Sequence, residues 1–264
     1  MKTALAALAL VLQAAPPDEK ILLKFQPRKG DRISSTQKSS LRIELSVSTG
    51  GEPRRLTAEK RESQEATLEI LEVEGNRITK ALVDCREDVE EDRTIGQEEV
   101  TRREKPLHGR KVTLQEKDGR ISCHPDEGID EKTRASLRLE DSFAKTFPDR
   151  PVAVGERWET SGDALKTLFR EPGMEGKLSA RLAEVKDFKG RRSAFLEVEM
   201  DLKGPGENGG TFAVHLAGTL VVWIERGYTL QARLEGTMSL QIKNDQAEMS
   251  GRGPLTIEMN ASVQ

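Results

Sequence analysis

Aromatic side chains are scarce in this chain of 264 residues: one Tyr, two Trp and seven Phe, 4% of the total. A core of stacked rings is therefore excluded, and what remains is thin and aliphatic. The same shortage speaks against a membrane-spanning β-barrel, which needs aromatic girdles at both interfaces. Cysteines number two and lack the paired C-x-x-C spacing of a structural zinc site. After the first dozen residues no apolar run approaches the length of a transmembrane helix. The motifs G-x-x-x-x-G-K-[ST], G-x-S-x-G and H-E-x-x-H are all absent. A net charge of only −3 gives no basic footprint for nucleic acid across the whole surface.

Charged residues are plentiful, at 33%, with both signs interleaved as on solvated strand faces. The N-terminus has the three parts of a secretory signal: Met1-Lys2, an apolar run over residues 3–12, and small residues at Ala14-Ala15. Export is the expectation, with the mature chain beginning near Pro16 and no cysteine there to carry a lipid.

The dominant pattern is period two. From Tyr228 the apolar positions are Leu230, Ala232, Leu234, Met238, Leu240 and Ile242, with Arg233, Glu235 and Lys243 between them. That is an antiparallel strand with one dry side and one wet side. The same alternation runs through Phe212–Ile224, Ala194–Leu202 and Leu178–Leu182, and returns after Asp245. Gly253-Pro254 predicts a bulge or an edge position in the last strand. In the N-terminal half Ile21–Phe25, Leu41–Val47, Leu68–Val73, Ile78–Cys85 and a hairpin about Asp118-Gly119 read as strands. The charged stretch 87–105 reads as exposed strand extensions or a loop. Between the halves Ala135, Leu139, Phe143 and Phe147 recur every four residues, which predicts a helix stopped by Pro148. A second short helix is expected near residues 161–170.

The chain is thus mainly β with minor α (α+β): long antiparallel meander sheets, curved or half-barrel, in two similar halves with a packed connecting helix. The expected divisions are 1–15, signal peptide; 16–124, N-terminal half; 125–149, helical connector; and 150–264, C-terminal half. The two halves form separate units or one continuous domain.

Few residues suggest chemistry. Gly204-Pro205-Gly206-Glu207-Asn208-Gly209 matches a dinucleotide fingerprint by letter, but a strand follows it where a helix is needed, so it reads as a hairpin loop. His108 lies in a polar turn, His215 on a wet strand face, and His124 beside Cys123 on the opposite side of a strand. Cys85 and Cys123 form a disulfide, stay as two thiols, or join His124 and His108 around a metal. No nucleophile has a base within reach, so neither catalysis nor a cofactor is expected.

Phe147-Pro148-Asp149-Arg150-Pro151-Val152-Ala153-Val154-Gly155-Glu156-Arg157-Trp158 resembles the P-x-x-P-V-x-V-G-x-x-W segment of exported bacterial β-rich proteins of unknown function. The Lys29-Gly30-Asp31 turn and Gly218-Thr219-Leu220-Val221-Val222 are similar to further parts of them. The resemblance implies a β-rich envelope protein and no activity. The strand order also looks like the half-barrels of envelope lipoprotein carriers.

Two functions follow as expectations. One is a periplasmic or secreted binding module holding an apolar small molecule or lipid in the sheet concavity, lined by Leu220, Val222, Leu230, Leu234 and Met238 under Phe143 and Phe147. The other is a structural or interaction module of the envelope with closed cores, contacting a partner protein through residues 87–105.

Overall fold

The computed structural model describes residues 19–48, 52–95, 100–162, 165, 173–206, 210–243 and 248–264. The expected leader, most of the expected second helix, and Glu207, Asn208 and Gly209 of the fingerprint-like loop lie outside them.

Alternating side chains make long strands: β1 (Lys20–Ile21), β2 (Arg32–Ser48), β3 (Arg54–Glu74), β4 (Arg77–Ile95), β5 (Val100–Glu104), β6 (Arg110–Lys117), β7 (Arg120–His124), β8 (Val152–Ala153), β9 (Arg157–Ser161), β10 (Glu175–Phe188), β11 (Arg191–Pro205), β12 (Thr211–Trp223), β13 (Tyr228–Lys243) and β14 (Glu248–Val263). Twelve of them join one antiparallel sheet in the order β7-β6-β4-β3-β2-β14-β13-β12-β11-β10-β9, with β5 folded back on β4. The two meanders meet where β14 pairs with β2, so both halves share one sheet. Strand β1 pairs only with β8 and ends at Ile21, well short of the expected Phe25.

The parity read from the sequence holds in β13. Leu230, Ala232 and Leu234 are buried, while Arg233 and Glu235 are exposed. Pro254 departs from expectation. Strand β14 is central, its register to β13 runs unbroken through Thr237–Pro254, and only the pairing to β2 lapses at Gly253-Pro254. The missing N–H is thus absorbed as a gap in one ladder, with no bulge.

Three glycines on the dry parity form a diagonal across β12, β13 and β14. A Cβ at Gly218 would stand 1.9 Å from the Arg233 carbonyl oxygen, at Gly236 1.8 Å from that of His215, and at Gly253 1.7 Å from that of Arg42. Backbones approach this closely where a sheet bends, and only glycine fits.

The expected connecting helix is mostly absent. A short α1 (Glu131–Ser136) is capped by Asp130, whose carboxylate accepts from Thr133 N at 2.6 Å, and it stops at Leu137. Beyond it lies only a 3₁₀ turn, Ala144–Thr146. Asp141 diverts the chain. Its carboxylate accepts from Phe143 N (2.8 Å), Thr229 N (2.7 Å) and Thr229 Oγ1 (3.0 Å), pinning this segment to β13. Leu139, Phe143 and Phe147 still bury, but not as one stripe: Leu139 joins the cluster of Ile70, Val112 and Leu230, and the two Phe join that of Leu178, Leu196 and Leu234.

Candidate ligand-binding face

Register makes the dry face legible row by row. Across β12, β13, β14, β2, β3 and β4 one row reads Leu216, Gly236, Leu255, Leu41, Lys60, Asp92. The next reads Gly218, Leu234, Ile257, Ser39, Glu62, Glu90, and the third Leu220, Ala232, Met259, Gln37, Gln64, Asp88. One face therefore passes from apolar through neutral polar to ionic within six strands.

Its exposure is graded as well. Under the connector, Leu178, Leu182, Leu196 and Leu220 are fully buried by Phe143, Phe147, Trp158 and Val152. Farther along the strands the same parity holds Phe212, Val214, Met238, Leu240, Leu255 and Ile257, all only half-buried.

The ionic end is a connected network. Lys60 Nζ lies 2.9 Å from Glu90 and 3.2 Å from Glu62, and Lys105 Nζ lies 3.0 Å from Glu62. Asp88 is buried, and its backbone N–H donates to His108 Nδ1 at 3.2 Å. Burial pushes the Asp88 carboxyl above its ordinary range, against the pull of Lys105. The hydrogen bond from Lys60 holds Glu90 below its ordinary range. Burial disfavours the Lys60 charge, yet the Glu90 and Glu62 carboxylates outweigh it, and its pKa is raised. The stretch 87–105 is thus a strand extension in part, with the β4–β5 pairing running from Val89↔Glu104 to Arg93↔Val100. It is not wholly exposed, since Asp88 and Val89 are buried.

The residues expected to line a ligand divide between cores. Leu220, Val222, Leu234, Phe143 and Phe147 belong to one packed cluster and Leu230 to the other; Met238 alone is half-exposed. Cys85 and Cys123 are free, buried thiols. Cys85 stands opposite Arg110 and Cys123 opposite Leu114, so two strands and four residues separate them. That is on the order of 16 Å at ordinary strand spacing, beyond the reach of a disulfide. Burial pushes the Cys85 thiol up to about 12, which leaves it unreactive.

The resembling segment is structural. Val152 is buried in β8, Gly155 N donates to Leu182 O (2.7 Å), and Trp158 Nε1 donates to Thr146 O (3.0 Å). Asp31 accepts from Tyr228 OH (2.8 Å) and pairs with the buried Arg226. The sequence placed Asp31 in a turn without its partners and did not flag Asp141, because each finds its partner across the fold.

Two other features stand apart. A cleft of about 820 Å³ between the β6–β7 hairpin and the connector is lined by Arg120, Arg134, Arg138 and Lys145 and by Glu116, Glu131, Glu140 and Asp141. On the wet face Glu199, Asp201 and His215 lie together, all exposed, with His215 Nδ1 2.8 Å from Asp201. No helix among the described residues is long and apolar enough to cross a membrane.

No family model and no curated protein matches the chain. Among solved structures, one of lipovitellin, concerned with its lipid–protein interactions, matches with a TM-score of 0.44 and 8% identity. The match covers 90% of this chain, which spans only 26% of the lipovitellin chain. An outer membrane channel from Pseudomonas putida F1 matches with a TM-score of 0.24 and 10% identity over 95% of this chain and 100% of its own. A protein from Vibrio parahaemolyticus, described as an outer membrane lipoprotein-sorting domain, gives 0.17 and 13% over 90% and 87%. None of these likenesses is close, and no property of those proteins is carried over.

Proposed function

We propose that this protein is a non-catalytic, exported binding module that holds an apolar or amphipathic ligand on the half-open part of its dry sheet face. The observation that carries the reading is the graded face. Under the connector it is sealed, beyond the connector its apolar side chains stay half-exposed, and across β2–β4 it becomes polar. Met238 and Leu240 stay half-exposed outside both core clusters, and Leu255 and Ile257, packed against one of them, keep part of their surface open beside those two. The site therefore lies farther along the strands than Leu220, Val222 and Leu230, whose burial makes them its foundation. Export rests on the pattern of residues 1–15.

The test is a lipid-extract mass spectrum of purified protein with titration of a fluorescent fatty acid. Co-purified amphiphile and saturable binding are expected. Met238→Glu should weaken binding about tenfold with little change in melting temperature, since charging an apolar contact surface costs binding first. A clean extract with no probe bound would remove this reading. It would leave the second one, an envelope interaction module, which the packing of Leu220, Leu230 and Leu234 into closed cores favours.

A further inference from the structure

The transverse rows fix more than the presence of a ligand; they give it a direction. Leu234, Ile257, Ser39 and Glu62 are successive neighbours in one row, and Leu255, Leu41 and Lys60 in the adjoining one. From β13 to β3 is three strand spacings, roughly 14 Å. That matches an extended acyl chain of medium length lying across the strands.

At the polar end the charges are layered. Asp88 and Glu90 lie deepest, at 6% residue exposure and 17% side-chain exposure. Lys60 and Lys105 reach solvent above them, their side chains 43% and 33% exposed. Glu62 bridges the two ammonium groups at 3.2 and 3.0 Å. An oxyanion between two lysines, at the end of an apolar row, is the arrangement a ligand's own anionic head would need. Gln37, Gln64 and Ser39 flank that position with neutral hydrogen-bonding groups.

Resting on the reading above, we infer that the ligand is a single-chain amphiphile with an anionic head. Its chain lies over Leu255 and Ile257 toward the half-exposed Met238 of β13, and its carboxylate or phosphate is held by Lys60 and Lys105 in the place Glu62 fills in its absence. Glu62 is then a positioning residue. It keeps the two ammonium groups together in the empty protein and yields to the ligand.

The experiment uses the full chain and three probes of equal chain length: dodecanoate, dodecyl phosphate and the neutral dodecanol. Lys60→Met with Lys105→Met should weaken both anionic probes about tenfold or more and leave dodecanol unchanged. Glu62→Gln should tighten the anionic probes several-fold. The ratio of dodecanoate to dodecyl phosphate affinity tells a carboxylate head from a phosphate monoester head. Lys60→Arg with Lys105→Arg keeps the charge and guards against misfolding; it should bind the anions as the wild type does. Raised salt should weaken the anions and spare dodecanol. Equal binding of all three probes to wild type and the double Met variant would overturn this inference while leaving the binding function intact. Failure of dodecanol and both anions alike would instead remove the function itself.

Discussion

At the scale of single residues, two aspartates do different work. Asp141 receives three hydrogen bonds from Thr229 and Phe143 and ties the connector to β13. Asp141→Ala would leave those donors without partners, at a cost of roughly 2–3 kcal/mol. Urea denaturation should show that loss as a lower midpoint with an unchanged slope. Asp88 acts through pH. Burial raises its carboxyl above the ordinary 3.8. From that value up to the raised one, the unfolded chain has released a proton the folded chain keeps, so stability falls as pH rises through the window. Glu90 works in the opposite sense. Its lowered carboxyl contributes stability above the ordinary 4.5 that is lost as pH falls through the folded value. Asp88→Asn cannot ionise, so it should melt above wild type at pH 7 and together with it at pH 3, as followed by circular dichroism. Equal melting at both pH values would show that the buried charge costs nothing.

At the scale of elements, what the sequence revealed depended on whether the partner was near in the chain. Period two placed β10 to β14 and their dry parity, because each strand's alternation is local and its neighbour follows at once. The pairing of β14 with β2 joins residues about two hundred positions apart, and no local pattern encodes it. The four-residue spacing of Ala135, Leu139, Phe143 and Phe147 pointed to a helix, yet Asp141 caps Phe143 and reaches Thr229 instead. The ligand face was half legible: its apolar parity was, while the ionic rows on β3 and β4 looked like solvated charge until register set them beside Leu255 and Ile257. Gly218 and Gly236 keep step with the alternation in the sequence, and nothing local shows the close backbone approach they permit. Gly236→Ala would force its Cβ against the His215 carbonyl oxygen, now 1.8 Å from that position. The backbone must shift at a cost of roughly 1–3 kcal/mol, visible as a lower denaturation midpoint, with ligand affinity falling too if the bend shapes the face.

At the scale of the whole molecule, the β14–β2 ladder decides whether there are two domains or one. Fourteen residue pairs would have to part for the halves to separate, since that register runs from Glu248↔Ser48 to Val263↔Ile33 with a gap only at Gly253-Pro254. Leu230 and Val263 of the C-terminal half also share a buried cluster with Ile70 and Val112 of the other. Cooperative unfolding in a single step follows, and the chain carries its own reporters. Both cysteines are in the N-terminal half and both tryptophans in the C-terminal half. In a Trp223→Phe variant the fluorescence comes from Trp158 alone, which packs in the cluster of Leu178 and Leu196. Thiol labelling reports Cys85 and Cys123, which are buried when folded. The two probes should give one coincident transition in urea, and Gly236→Ala, made in the C-terminal half, should move the thiol transition as far as the fluorescence transition. Separate midpoints, or a thiol transition unmoved by Gly236→Ala, would mean that the shared ladder does not couple the halves and that the graded face is assembled from two independently folding parts.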